Sequence, residues 1–271
     1  MSYYFLTFLC FCSSIFASNI SYRSEQIDFF TTAHILEVDP RYFDMKVARA
    51  HLKNGISRET VLCMAKEHGA IAGVNGGFWK TDGKPAGILK ILDKWHSVAV
   101  KKRGAIGWKD GENLPIFDQV LNSNEEKDPV PQSTPPYTSK EDWKKMDYIV
   151  GGTPILVRNG TIIKDFSLED TLINFLIKKH SRTAVGITKN GNWLFVVIDG
   201  RLYDLVGGMK MKTLAKYMLD LGCIEALNLD GGSSSTIVYE NLVVNSPHGN
   251  ISEAGKNVTA VSDAILIFPK D

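Results

Sequence analysis

Three apolar runs in this chain end the same way, in Asn or Asp followed at once by Gly: Ala70–Val74 before Asn75-Gly76-Gly77, Trp193–Ile198 before Asp199-Gly200-Arg201, and Ala226–Leu229 before Asp230-Gly231-Gly232. The last continues through Ser233, Ser234 and Ser235 into Thr236-Ile237-Val238, so it reads as strand, tight polar loop, strand. Taken singly, an Asp-Gly step after an apolar run is most often a hairpin turn. Three such ends point instead to loops that gather a shared site on a rigid sheet. Glycines at those ends let a ligand approach the backbone, and the serine run offers hydroxyls and N–H groups to an oxygen-rich ligand.

Length and charge narrow the rest. The 271 residues are 44% hydrophobic, enough for a substantial core, and fit one domain over 18–271. Its 31 basic and 30 acidic residues give a formal charge of +1, so no overall field favours nucleic acid or an acidic membrane, and an anion must be recognised locally. The apolar stretch Met1–Ala17, with small Ala17 and Ser18 at its end, reads as a signal peptide, implying a secreted or periplasmic protein with no stable membrane span after processing. Against this, no Lys or Arg stands before Phe5, and an uncleaved anchor or a buried first strand are the alternatives. Without that segment two cysteines remain, Cys63 and Cys223, which make no metal spacing and read as packed free thiols, with one disulfide as the alternative.

Along the chain, Ser57 to Glu67 has helical periodicity with Ser57 as N-cap and Gly69 as the stop, and Lys210–Leu221 forms a second helix ended by Gly222. Short extended runs dominate elsewhere. Residues 122–146, with Pro129, Pro131, Pro135 and Pro136, read as a surface insertion that holds no sheet ladder. The expected fold class is α+β: a mixed, largely antiparallel sheet with packed helices and a site at strand ends. Phe78 and Trp79, beside the Asn75 turn, suit stacking on a sugar ring, or equally a hydrophobic plug under the turn. Arg182 opens an apolar strand and is either a site cation or half of an interior ion pair, and His180 beside it reads as an ordinary surface residue more readily than as an acid or base.

Five segments in order, GVNGGFW (Gly73–Trp79), VGGTPILVRNG (Val150–Gly160), RTAVGIT (Arg182–Thr188), VVIDGR (Val196–Arg201) and ALNLDGGSSST (Ala226–Thr236), resemble the phosphodiester glycosidase family over roughly Ile71 to Phe268. The resemblance departs at Ser233, where the family carries a third glycine, and at Lys256, in place of an arginine. It implies a hydrolase that cleaves the glycosidic bond of a sugar-1-phosphodiester and places Arg182 in the site. Such a reaction needs charge to stabilise an oxocarbenium-like transition state and a clamp for the leaving phosphate. Asp199, Asp230 and Arg182 are the expected catalytic residues, with Arg201 a second cation. Asn75, Gly76, Gly77, Arg201, Asn228, Gly231, Gly232 and Ser234 are the expected substrate-binding residues. The alternative is a non-catalytic binding module for phosphorylated glycans. A serine hydrolase is excluded because Thr236 stands where the closing Gly of a Gly-x-Ser-x-Gly elbow belongs, and no Lys follows the glycines to make a P-loop. No metal or cofactor is expected: a divalent cation near Asp199 and Asp230 is compatible with the residue types, but no spacing indicates one.

Overall fold

The computed structural model describes residues 19–112, 114–122, 128–134, 136–200 and 207–270. The Met1–Ala17 stretch and Arg201 therefore lie outside the described residues.

Short strands build three main sheets and two two-stranded ones. The first, seven-stranded, runs in the order Ile20–Asp28, Thr31–Val38, Trp193–Ile198, Arg182–Thr188, Cys223–Asn228, Ile155–Arg158, Thr161–Ile162. A six-stranded sheet orders Pro129–Pro131, Ile116–Asn122, Arg103–Trp108, Tyr148–Gly151, Leu89–Ile91, Lys94–Ser97. A five-stranded sheet orders Leu242–Val243, Ile237–Tyr239, Ala72–Asn75, Asp263–Pro269, Phe43–Arg49. Every strand pairing within the three is antiparallel. Strand makes up 46% of the protein and helix 15%, so the antiparallel expectation holds while the helical share is smaller than an α+β label suggests.

The strand Trp193–Ile198 shows how the sequence specifies this packing. Side chains alternate across a sheet, and here both sets are apolar. Trp193, Phe195 and Val197 enter a central core with Val74, Ile106, Val150, Leu227 and Ile265, drawn from all three sheets. Leu194, Val196 and Ile198 face the other way, against Met211, Leu214 and Met218 of the helix Met211–Asp220. The helix Val61–His68 covers the five-stranded sheet in the same way, and Trp143 of the short helix Lys140–Lys144 packs with Ala105 and Ile149 of the six-stranded sheet. Each sheet thus turns one face to a common core and the other to a helix.

Two local expectations need correction. The first helix begins after Thr60, whose side chain accepts from the Cys63 N–H, and Ser57 instead belongs to a two-residue strand. Pro129–Pro131 does join a ladder, opposite Val120–Asn122. It is an edge strand, where a missing N–H leaves no central partner unpaired. Gly69 closes the first helix at φ 70°, as expected, and Cys63 and Cys223 are free thiols.

Register places the loops. Arg182 pairs with Ile198 on one side, and Ala184 with Asn228 on the other. The start of the Arg182 strand therefore lies between the ends of the strands that lead to Asp199 and Asp230. Asn75 pairs with Ala264 and its neighbour Val74 with Ile237, bringing the third strand end up from the five-stranded sheet.

Candidate functional site

Asn75 ties the loops together with its side chain fully buried. Its Nδ2 donates to the Asp230 carbonyl (2.7 Å), while its Oδ1 accepts from Thr183 Oγ1 (2.7 Å) and the Thr236 N–H (3.1 Å). The Asp230 N–H donates to the Gly76 carbonyl (3.2 Å), and the Gly232 N–H to the Ser181 carbonyl (2.8 Å). Gly231 is required by space, since a Cβ there would lie 2.8 Å from the Ser181 oxygen, and Gly232 by its φ of 61°. Asn75 is thus a brace between the loops, its Oδ1 accepting twice and its Nδ2 donating once.

Asp230 is half-buried at the head of this loop. Its Oδ1 accepts the Gly231 N–H (2.9 Å), and Trp79 Nε1 reaches the neighbouring Ser234 hydroxyl (3.3 Å). Burial pushes its carboxyl up to about 7, a rise that Ser234, Gly231 and Trp79 oppose and the Asp263 carboxylate assists. Asp263 escaped the sequence reading. It is buried, with its Oδ1 accepting the Gly77 N–H (2.8 Å) and its carbonyl the Gly76 N–H (2.9 Å). Burial raises its pKa also, against Gly77, Ser262 and Arg49. The available signal was an acidic residue heading the apolar run Ala264–Phe268.

Asp199 has a different setting. His34 Nε2 lies 2.9 Å from its Oδ2, Asn245 Nδ2 donates to Oδ1 (2.9 Å), and the Ser246 N–H donates to Oδ2 (2.8 Å). Burial works to raise its pKa, but these partners outweigh it and hold the group below the usual carboxylate range. Tyr22 Oη meets His34 Nδ1 at 2.8 Å, so a file of hydrogen bonds runs from Tyr22 through His34 to Asp199. The Asp199 carboxylate borders a cleft with Gln26, Phe30, Thr32 and His248. Two links join it to the Asp230 loop: Asn245 Nδ2 also donates to the Ser235 carbonyl (3.0 Å), and Ser181 Oγ donates to the Gly200 carbonyl (3.1 Å). His34 and Asn245 carried no sequence signal, since neither stands beside a glycine turn.

Arg182 is not where a phosphate clamp is expected. The residue is fully buried: Nε donates to the Met209 carbonyl (3.0 Å), and Nη2 to those of Phe175 (2.7 Å) and Lys178 (3.1 Å). Its guanidinium lies 4.5 Å from the Phe175 ring centroid, and burial lowers its pKa to about 10. Among the described residues no carboxylate pairs with it, and Nη1 alone has no hydrogen-bond partner. His180 stacks on the same Phe175 ring, and burial, then Arg182 and Lys178, lower its pKa. Asn228 is buried too, its Nδ2 donating to the Thr153 and Leu229 carbonyls.

Asn228 Oδ1, Ser235 Oγ, Thr236 Oγ1 and Arg182 Nη1 are all buried without a hydrogen-bond partner among the described residues. Such atoms are rare in native proteins, and their gathering around these strand ends marks a place where water or ligand completes the structure. Across the Gly76-Gly77 turn a narrow cleft opens between Phe78, Gly87, Lys101, Arg103, Gly104, Gly151 and Gly152, which puts the Val150–Pro154 glycines beside the site. The Trp79 ring has the Arg58 guanidinium over it at 5.1 Å. Among the described residues, metal-capable side chains converge in threes only at His51, Glu59 and Glu67, where Lys53 already pairs with Glu59. No such group includes Asp199 or Asp230.

A family profile described as phosphodiester glycosidase matches residues 68–268. Among curated proteins, the SPbeta prophage-derived uncharacterized protein YomE of Bacillus subtilis (strain 168) is 28% identical over 219 residues, 79% of this chain and 30% of its own length. The N-acetylglucosamine-1-phosphodiester alpha-N-acetylglucosaminidase of Bos taurus is 29% identical over 108 residues, 36% of this chain and 20% of its own. The match thus spans less than a third of either relative. Among solved structures, a hypothetical protein from Synechocystis superposes with a TM-score of 0.71 at 16% identity, over 93% of this chain and 62% of that one. The zebrafish N-acetylglucosamine-1-phosphodiester alpha-N-acetylglucosaminidase catalytic domain, auto-inhibited by its pro-peptide, gives 0.67 at 21% identity, over 93% and 83%. These superpositions establish a shared fold.

Proposed function

The chain belongs to the phosphodiester glycosidase family, and from that premise we propose that it hydrolyses the glycosidic bond of a sugar-1-phosphodiester, releasing free sugar and a phosphomonoester. The observation that carries the reading is Asp230: a half-buried carboxyl at the head of a glycine loop, with a pKa near 7 and partnerless polar atoms around it. A carboxyl so placed exchanges a proton at neutral pH, as acid or base catalysis at an anomeric carbon requires. Asp199, kept ionised by its partners, supplies the fixed negative charge that an oxocarbenium-like transition state needs. Environments that push two carboxyl groups apart in this way divide such roles between them. In the reaction the bond from the anomeric carbon to the phosphate oxygen breaks, water adds to that carbon, and the proton it loses balances the one taken up on the leaving side. Gly76, Gly77, Gly231, Gly232 and Ser234 shape the sugar side of the site, while Asn75 and Asn228 hold its loops. Arg182 acts by fixing the segment around Phe175.

Export belongs to the same reading. It rests on the apolar Met1–Ala17 stretch, and no described helix is long and apolar enough to cross a membrane. Intact-mass measurement on the protein from its native cell is expected to show a chain beginning near Ser18.

The test is release of free sugar from a panel of sugar-1-phosphodiesters. Wild type is expected to turn over at least one, and Asp230→Asn to lose about 10²-fold or more of that rate while binding the same substrate. Binding of these compounds without turnover by either protein favours the non-catalytic module and sinks the hydrolase.

A further inference from the structure

The expected phosphate clamp, Arg182, is sealed beneath Phe175, yet a phosphodiester needs a cation within reach of its oxygens. The cleft beside Gly77 contains one. Arg103 lines it, and its Nε is buried without a hydrogen-bond partner among the described residues. Lys101 stands at the same cleft, paired with Asp170 at 2.7 Å on the exposed side. The other nearby carboxylate, Glu169, lies beneath the backbone, accepting from the Gly104 and Ile155 N–H groups (2.8 Å each) and Gln119 Nε2 (3.1 Å). Burial raises its pKa. Arg103 is thus the cation at this cleft whose Nε lacks a partner among the described residues, and the two carboxylates there are already engaged.

Gly87 and Gly151 pack closely, so that a Cβ on Gly87 would lie 3.7 Å from the Gly151 Cα, and a Cβ on Gly77 would lie 3.0 Å from the Gly151 oxygen. These glycines let the Gly77 turn close on the backbone that lines the cleft. Phe78 forms the remaining wall, and the turn that carries it also receives the Asp230 N–H through the Gly76 carbonyl.

We propose that this cleft is an anion subsite, with Arg103 as its principal cation and Phe78 as its wall, which takes the phosphoryl group of the substrate and of the phosphomonoester product. The assignment rests on the hydrolase reading for its substrate but not for its ligand chemistry, so binding and turnover test the two separately.

The experiment titrates methyl phosphate and inorganic phosphate into wild type, Arg103→Gln, Arg103→Lys and the exposed control Lys189→Gln, by calorimetry, with circular dichroism to verify that each is folded. Charge-assisted contacts of this kind are expected to make Arg103→Gln bind methyl phosphate about tenfold or more weakly, with Arg103→Lys between it and wild type and Lys189→Gln unchanged. With a turned-over phosphodiester, Arg103→Gln is expected to raise KM more than it lowers kcat and to relieve inhibition by the phosphomonoester. Arg103-dependent phosphate binding without turnover of any phosphodiester keeps the subsite and removes the hydrolase. Undetectable binding to wild type, or equal binding by folded Arg103→Gln, overturns the subsite even where turnover is intact.

Discussion

At Gly76 there is no room for one more carbon, because a Cβ there would lie 2.0 Å from Asp263 Oδ1. Gly76→Ala is expected to destabilise by about 1–3 kcal/mol, the usual range for overpacking. Most of the loss should return in Gly76→Ala/Asp263→Ala relative to Asp263→Ala alone. Urea denaturation of the four proteins measures that coupling, and additive losses would remove Asp263 as the obstruction. The Asp230 carboxyl makes a pH-dependent contribution. Its pKa is higher folded than unfolded, so its favourable contribution is complete below about pH 4 and is lost as pH rises toward about 7. Asp230→Asn is therefore expected to gain stability over wild type at pH 8 relative to pH 4, by at most about 4 kcal/mol. Thermal melts at the two pH values decide it, and a gain confined to pH 4 would contradict the assigned direction. Asp230 and Asp199 were legible because each precedes a glycine turn. Asp263, His34 and Asn245 were not, because what makes them part of the site is the strand they meet across a sheet, and that partner is distant in sequence.

Between elements, the segment over the start of the Arg182 strand has the least of its own to hold it. The helix Ile173–Ile177 buries none of its residues, and Leu172 and Ile173 are exposed. Its anchors are the Arg182 hydrogen bonds to the Phe175 and Lys178 carbonyls, the contact of Phe175 with Phe78, and the partial burial of Phe175 and Leu176 against the core beneath the helix Met211–Asp220. Arg182→Ala is thus expected to abolish amide-exchange protection across residues 173–180 while strands Trp193–Ile198 and Cys223–Asn228 stay protected. Unchanged protection there would show that the anchors lie elsewhere. Sequence reading found the helices around Leu62 and Leu214 because their apolar spacing and terminal glycines are local. It placed Arg182 in the site on a family resemblance, and its actual partners, three backbone carbonyls, leave no mark in a sequence.

On the scale of the molecule, the common core makes the three sheets depend on one another. Trp108 of the six-stranded sheet meets Trp193 of the seven-stranded sheet edge-on at 5.3 Å, and Val74 and Ile265 of the five-stranded sheet join the same cluster. Denaturation followed by tryptophan fluorescence and by far-UV circular dichroism is expected to give coincident curves; a separate earlier transition in either would mean that one sheet unfolds alone. The ladder between Phe43–Arg49 and Asp263–Pro269 adds a consequence for biosynthesis. The strand bearing Asn75 has Asp263–Pro269 on one side and Ile237–Tyr239 on the other, so the first loop of the candidate site gains both neighbours only after Asp263–Pro269 has been synthesised. A nascent chain carries its early strands as unmatched edges, a hazard for aggregation, and brings its candidate carboxyl groups together only once that strand has emerged.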